Sequence, residues 1–244
     1  MDTRFWGPSG WYLFHLIAAS PKIRVCAVKE WFSLMEFVLP CKYCRDSFHE
    51  YIAQQPLTDD ILRNRETFSR WMYDIHNRVN GKLRRQKLLQ SPNPSWPSVR
   101  SKYFSAQAKL CESDKPFIGW DFLTAIAFST DKSHCPAVLQ RWWALIPDVL
   151  PCAAWRNAWK TAVASGSSDS IPIFEGKTRV MAWMWKRERD VCSKLKCPTP
   201  HPSRPVMEHE VSAFESLCGS KTCRTRKQKR RKQVYTQRKK RLQV

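Results

Sequence analysis

Two cysteines spaced three apart, Cys41-Lys42-Tyr43-Cys44, are where this 244-residue chain is best equipped for chemistry. Pro40 precedes them and the following residues are helix-forming, so the pair opens a helix. The positive end of a helix favours a thiolate, and Lys42 and Arg45 add charge of the same sign. The spacing also lets the two sulfurs close a small disulfide that exchanges with other thiols. The same spacing is half of a zinc site, which needs two further ligands. Cys192-x4-Cys197 or Cys218-x4-Cys223 could offer them, although neither repeats the CxxC. Taken alone, the CxxC leaves redox and zinc chemistry equally open.

A second cluster shifts that balance. His76 and Asn80 are four apart and share a helical face, with Asn77 beside them. Their hydrogen-bonding edges suit a planar, polar heteroaromatic ligand. Trp11 and His15, also four apart, supply a flat stacking pair. Each residue by itself is more often a satisfied core residue. Together with the CxxC they describe a dithiol beside a flavin-like ring.

The elements that must position these groups read as helices. Periodicity runs over residues 6–20, 31–55 and 66–89, where Met72, Ile75, Val79 and Leu83 form one stripe. Residues 90–98 carry three prolines and three serines and read as a linker. Helical pattern resumes over 117–130, 138–165 and 178–195. Residues 166–170 read as a loop and 198–205 as extended chain. Glycine is scarce (7) and tryptophan abundant (12), which argues for packed helices and against Gly-rich phosphate loops.

The two helical blocks repeat one another. Gly10–Ser20 aligns with Gly119–Ser129, Trp31…Leu39-Pro40-Cys41 with Trp142…Leu150-Pro151-Cys152, and Trp71-Met72…Leu83 with Trp183-Met184…Leu195. Three matches in one order at nearly one offset indicate an internal duplication, and two copies suggest an intramolecular pseudo-dimer. The copies differ where chemistry is at stake. Cys44 is matched by Trp155 and His15 by Thr124; His76, Asn77 and Asn80 are matched by Glu188, Arg189 and Cys192. The apolar framework persists while the polar groups and one of the two thiols are lost, as expected if only the first copy carries chemistry.

Charge is unevenly spread. The formal net charge is +21, and Lys221–Arg241 holds twelve basic residues and no acidic one. Such a segment repels itself and buries little apolar surface, so it reads as a flexible tail suited to nucleic acid or an import receptor. No apolar stretch is long enough for a transmembrane helix, and the first residues lack the pattern of a secretory signal.

The set Trp6-Gly7-Pro8-Ser9-Gly10-Trp11…His15, Leu39-Pro40-Cys41-Lys42-Tyr43-Cys44-Arg45 and Trp71…His76-Asn77-Arg78-Val79-Asn80-Gly81-Lys82-Leu83 closely resembles the Erv/ALR family of FAD-linked sulfhydryl oxidases over residues 4–90. The resemblance implies an all-α fold: a four-helix bundle cradling FAD in residues 1–92, a degenerate pseudo-Erv half in 99–198, and a basic tail in 199–244. It implies Cys44 as the flavin-proximal sulfur and Cys41 as the one that exchanges with incoming thiols. FAD contacts fall to Trp11, His15, His76, Asn77, Val79, Asn80, Lys82 and Leu83, with Trp71 packed near the ring. By the same analogy Cys218 and Cys223 form a shuttle, thiol-bearing proteins are substrates, and molecular oxygen takes the electrons and becomes hydrogen peroxide. Family members are usually dimers, and the second copy stands in for the partner. The active half comes first here, unlike in quiescin-type and baculoviral relatives.

The resemblance leaves the compartment open: host cytoplasm, nucleus or virion for a large-DNA-virus enzyme, mitochondrial intermembrane space for a cellular one. The remaining cysteines have several readings. Cys192 and Cys197 bridge locally or pair with Cys111 or Cys152, and Cys26 and Cys135, equivalent in the repeat, bond if they lie near its axis. The alternative function is a zinc-bearing nucleic-acid-binding protein that uses the basic tail.

Overall fold

Proline and capping residues divide the chain into helices. The computed structural model describes residues 1–110, 116–130, 134–164, 171–172 and 175–215, and the described residues are helical, with no strand among them. The first half comprises α1 (Thr3–Ala18), α2 (Val25–Ser33), α3 (Met35–Val38), α4 (Lys42–Gln54), α5 (Asp59–Arg63), α6 (Arg65–Arg85) and α7 (Trp96–Ala108). The second half comprises α8 (Trp120–Ser129), α9 (Pro136–Val149), α10 (Ala153–Ala164), α11 (Lys177–Leu195) and α12 (Arg204–Ala213). No described helix is long and apolar enough to cross a membrane.

The helical run expected over 31–55 breaks at its proline. A residue before proline is pushed out of the helical region, and Leu39 sits at φ −53°, ψ 138°. Cys41 then caps α4. The second half repeats this break, with Leu150 at φ −56°, ψ 137° ahead of Pro151. One hydrogen bond fixes both corners: Arg45 Nη1 donates to the Leu39 carbonyl and Arg156 Nη1 to the Leu150 carbonyl, each at 2.7 Å.

Counterpart helices pack on each other in antiparallel fashion. Trp31 and Trp142 stack at 5.1 Å, and Arg141 forks onto Glu30 with two bonds of 2.6 Å. Across α1 and the start of α8 the contacts are reciprocal. A Cβ added to Gly10 would meet Phe122 at 3.1 Å, and one added to Gly119 would meet Leu13 at 2.8 Å. Gly10 corresponds to Gly119 and Leu13 to Phe122, so each helix presents its glycine to the other's apolar side chain. Gly119 also has φ +121°, which glycine tolerates best.

Two helices lie where linker, extended chain and tail are expected. Ser95 ends the linker and caps α7 by accepting from the Ser98 N–H, with Pro97 in the first turn. Residues 204–213 form α12 because Met207, Val211 and, just beyond, Phe214 bury apolar side chains. That part of the expected tail is folded, and the Phe214 carbonyl accepts from the Asp2 N–H at 3.0 Å. Ser203-Arg204-Pro205 repeats Ser95-Trp96-Pro97, and α12 contacts α8 and α11 as α7 contacts α1 and α6. The likeness between the two blocks thus includes α7 and α12 as well. The basic stretch Lys221–Arg241, the Cys218–Cys223 pair and Cys111 lie outside the described residues.

Candidate active site

Cys41, at the N-cap of α4, is buried, and Cys44, one turn on, is half-buried. The Cys44 N–H donates to the Cys41 carbonyl at 2.9 Å, so the pair spans the first turn. The unsatisfied N–H groups and positive dipole of that turn stabilise a thiolate. Lys82 fastens the turn to α6, its Nζ donating to the Tyr43 carbonyl at 3.0 Å and to Ser47 Oγ. Met1 closes the far side with its amino group on the Pro40 carbonyl at 3.0 Å.

Trp11, His15 and His76 come together, and a residue outside the sequence-expected set joins them. Trp11 and His76 stack at 3.9 Å with planes 4° apart, and His15 Nε2 lies 3.0 Å from His76 Nδ1. Tyr103 of α7 stacks on the other imidazole, His15, at 4.3 Å and 9°. Burial, the facing His76 and the nearby Lys102 hold the His15 pKa down to about 3. Burial and Lys102 lower that of His76 to about 4. Both rings are neutral near pH 7, so one donates and the other accepts, and the bond fixes complementary tautomers. Burial raises the Tyr103 phenol to about 12. At 3.9 Å the Trp11–His76 stack is closed, so a flat ligand meets its edges or outer faces and does not enter between the rings.

The other expected residues are spread along α6. Asn80 Nδ2 donates to Asn93 Oδ1 at 3.2 Å, and Arg84 donates to the same oxygen at 2.9 Å, which folds the linker back onto the helix. Asn77 lies about 100° round the helix from His76 and lines a groove of ≈ 540 Å³ with Tyr51, Gln54, Arg78 and Arg85. Val79 and Leu83 are half-buried, and Val79 packs on the core. Trp71 is buried deep in the half, its rings packed on Phe32 and Phe68 and its indole N–H on the Gln55 carbonyl at 2.9 Å. Tyr103 escaped the sequence reading because α7 buries a single residue, Val99, along its length. The repeated Ser-x-Pro start was the signal that could have found it.

The remaining cysteines separate by role. Cys26 and Cys135 are exposed free thiols. They do not bond because counterpart helices α2 and α9 run antiparallel, which brings Trp31 and Trp142 together at the middle and sends the two cysteines to opposite ends. Cys152 is disulfide-bonded, whereas Cys192 and Cys197 are free, so neither pairs with Cys152. Among the described residues no three His, Cys, Asp or Glu side chains converge to hold a metal ion.

The Erv1 / Alr family model matches residues 8–102. A probable FAD-linked sulfhydryl oxidase, R368, of Acanthamoeba polyphaga mimivirus is 34% identical over 85 residues, 33% of this chain and 59% of that protein. The mitochondrial FAD-linked sulfhydryl oxidase ERV1 of Saccharomyces cerevisiae is 32% identical over 91 residues, 35% of this chain and 47% of that one. The FAD-linked sulfhydryl oxidase of African swine fever virus (isolate Warthog/Namibia/Wart80/1980) is 33% identical over 128 residues, 48% of this chain and 98% of that one. The chain thus spans about half the length of the first two and nearly all of the third. No solved structure matches.

Proposed function

We propose, from the premise that this chain belongs to the Erv1 / Alr family, that it is an FAD-linked sulfhydryl oxidase introducing disulfides into thiol-bearing proteins. The observation that carries the reading is the Cys41–Cys44 pair on the first turn of α4, tied by Lys82 to the helix that bears His76. The donor set fits the cofactor. Neutral imidazoles, the Trp11 ring, two Asn amides and the Lys82 ammonium suit a flat heteroaromatic with polar edges and an anionic linker. Trp11, His15, His76, Asn77, Val79, Asn80, Lys82 and Leu83 would hold it, with Trp71 supporting α6 from the core. When bound, FAD accepts an electron pair from a thiolate and passes it to dioxygen, giving hydrogen peroxide.

The chain's own residues perform the thiol exchange. A substrate thiolate attacks the Cys41 sulfur of the Cys41–Cys44 disulfide, forming a mixed disulfide and releasing Cys44 as thiolate. The N-terminal turn of α4 stabilises that charge, and Lys42 and Arg45 add to it. The substrate's second thiolate then attacks the mixed disulfide, and Cys41 leaves with the substrate oxidised. The His15–His76 bond holds both rings in one orientation and one protonation state. In the same reading the second half takes the place of a partner subunit, and residues 1–92 together with α7 form the cofactor half. Cys218 and Cys223 relay electrons to Cys41, and the basic tail contacts nucleic acid or an import receptor.

The test is a visible spectrum of the purified chain with oxygen uptake on dithiol addition. A flavin band that bleaches, and uptake that Cys44→Ser abolishes, support the reading. A colourless protein without uptake overturns it.

A further inference from the structure

The second half carries a thiol pair of its own, where the first half has Asn80. Helix α11 ends in a left-handed residue, Lys196, at φ 54°, ψ 34°. The Cys197 N–H returns to the Cys192 carbonyl at 3.0 Å and the Lys196 N–H to the Ser193 carbonyl at 3.2 Å. This is a Schellman turn, in which the fourth residue from the end of α11 and the second residue beyond it face each other. Both positions are cysteine, so the turn brings the two thiol side chains together.

The surroundings make the two sulfurs unequal. The Cys192 S–H and the backbone N–H groups of Phe117 and Cys197 face the Cys197 sulfur, and its pKa falls to about 7. The negative end of α11 opposes a thiolate there, and the neighbouring Cys192 thiol offsets it. Cys192 is pushed up by its bond to Cys197, by burial and by the Glu188 carboxylate. Both thiols are buried, Cys192 at 1% and Cys197 at 9% exposure, so Cys197 is the one nearer solvent.

We propose that Cys192 and Cys197 form a second redox centre, a dithiol that closes to a disulfide by exchange with a protein or low-molecular-weight disulfide. The Cys197 thiolate attacks one sulfur of the incoming disulfide and expels the other as thiolate, leaving a mixed disulfide. Cys192 gives up its proton to the departing thiolate and attacks the Cys197 sulfur. The Cys192–Cys197 bond forms and the second thiolate leaves. Two thiols are oxidised and one disulfide is reduced to two thiols. The new bond ties the last turn of α11 to the segment that leads through His201, held on Glu188 at 2.8 Å, into α12. The exchange uses no residue of the first half.

The experiment equilibrates the full chain in glutathione buffers of graded ratio, alkylates remaining thiols, and maps the 192–197 segment by mass after cleavage away from lysine. The expected segment is lighter by two hydrogens, in a share that grows with oxidised glutathione. Closing this short loop is expected to raise the melting midpoint by about 5 °C. In Cys192→Ala, Cys197 is expected to retain one glutathione. Should that variant fail to fold, the wild-type map decides alone. Both thiols alkylated at every ratio, or either bonded to a different cysteine, would overturn the proposal.

Discussion

The two halves share a scaffold and differ in what fills it. Both turn their second corner through Leu-Pro-Cys with the same arginine-to-carbonyl bond. In the first half that corner delivers Cys44 half-buried to the start of α4; in the second it delivers Trp155, 1% exposed and packed on Phe117 at 4.6 Å. His15, stacked on Tyr103, is matched by fully buried Thr124, and His76, stacked on Trp11, by Glu188, bonded to His201. The contrast teaches that tryptophan, leucine and proline encode the bundle, while the polar side chains to which the proposal assigns chemistry vary independently of it. Where those side chains are lost, their space is taken by aromatic rings and by pairs that satisfy each other.

The contrast can be broken at matched positions. Cys44→Ser is expected to end dithiol turnover while FAD stays bound, because it removes the sulfur that leaves as thiolate. Its counterpart Trp155→Ala is expected to cost about 3–5 kcal/mol of stability through the cavity left behind, with turnover per folded molecule unchanged. Steady-state rates and denaturant titration on both variants test this crossing of effects, and a Trp155 variant slowed in turnover without loss of stability would contradict it.

Acid should separate the halves next. His15 and His76 have pKa values lowered to about 3 and about 4 from 6.5. The unfolded chain therefore binds more protons between these values. The stability held by the neutral pair is complete above pH 6.5 and is lost as pH falls toward 4, by on the order of 3 kcal/mol for each ring. Stability measured from pH 7 to 4 is expected to fall more gently in His15→Asn/His76→Asn than in the parent chain. Equal slopes would show that the two imidazoles are not buried neutral.

A smaller effect is expected at the fifth helix of each repeat. Tyr103→Leu keeps an apolar contact but loses the flat face against His15, and is expected to weaken FAD retention about tenfold, a loss worth about 1.4 kcal/mol. Val211→Ala, on the α12 counterpart, should leave flavin content unchanged and lower only the melting midpoint. Flavin released on dilution measures the first effect and thermal unfolding the second.

Much of this was legible in the sequence because it rests on local rules. Pro40 before Cys41 predicts the corner and the helix start, and the 3/4 spacing of apolar residues predicts the all-helical fold. Helices α7 and α12 were not legible, since α7 carries no clear apolar stripe and the short stripe of α12 adjoins a strongly basic segment. The first is held by contacts such as Tyr103 on His15, and the second by Met207, Val211 and Phe214 set among charged residues. Tertiary partners decide such segments, so Tyr103 went unseen. The wrong expectation for Cys26 and Cys135 had a similar origin: equivalence in a repeat says nothing about distance until the direction of packing is known.

The most direct measurement is an anaerobic dithiol titration of the full chain, followed at the flavin absorbance, beside the same titration of Cys44→Ser. The expected result is one FAD per chain, bleached rapidly in the parent and left oxidised in the variant. Equal bleaching in both, or a chain that holds no flavin, would contradict the assignment of the chemistry to Cys41 and Cys44 in the first half.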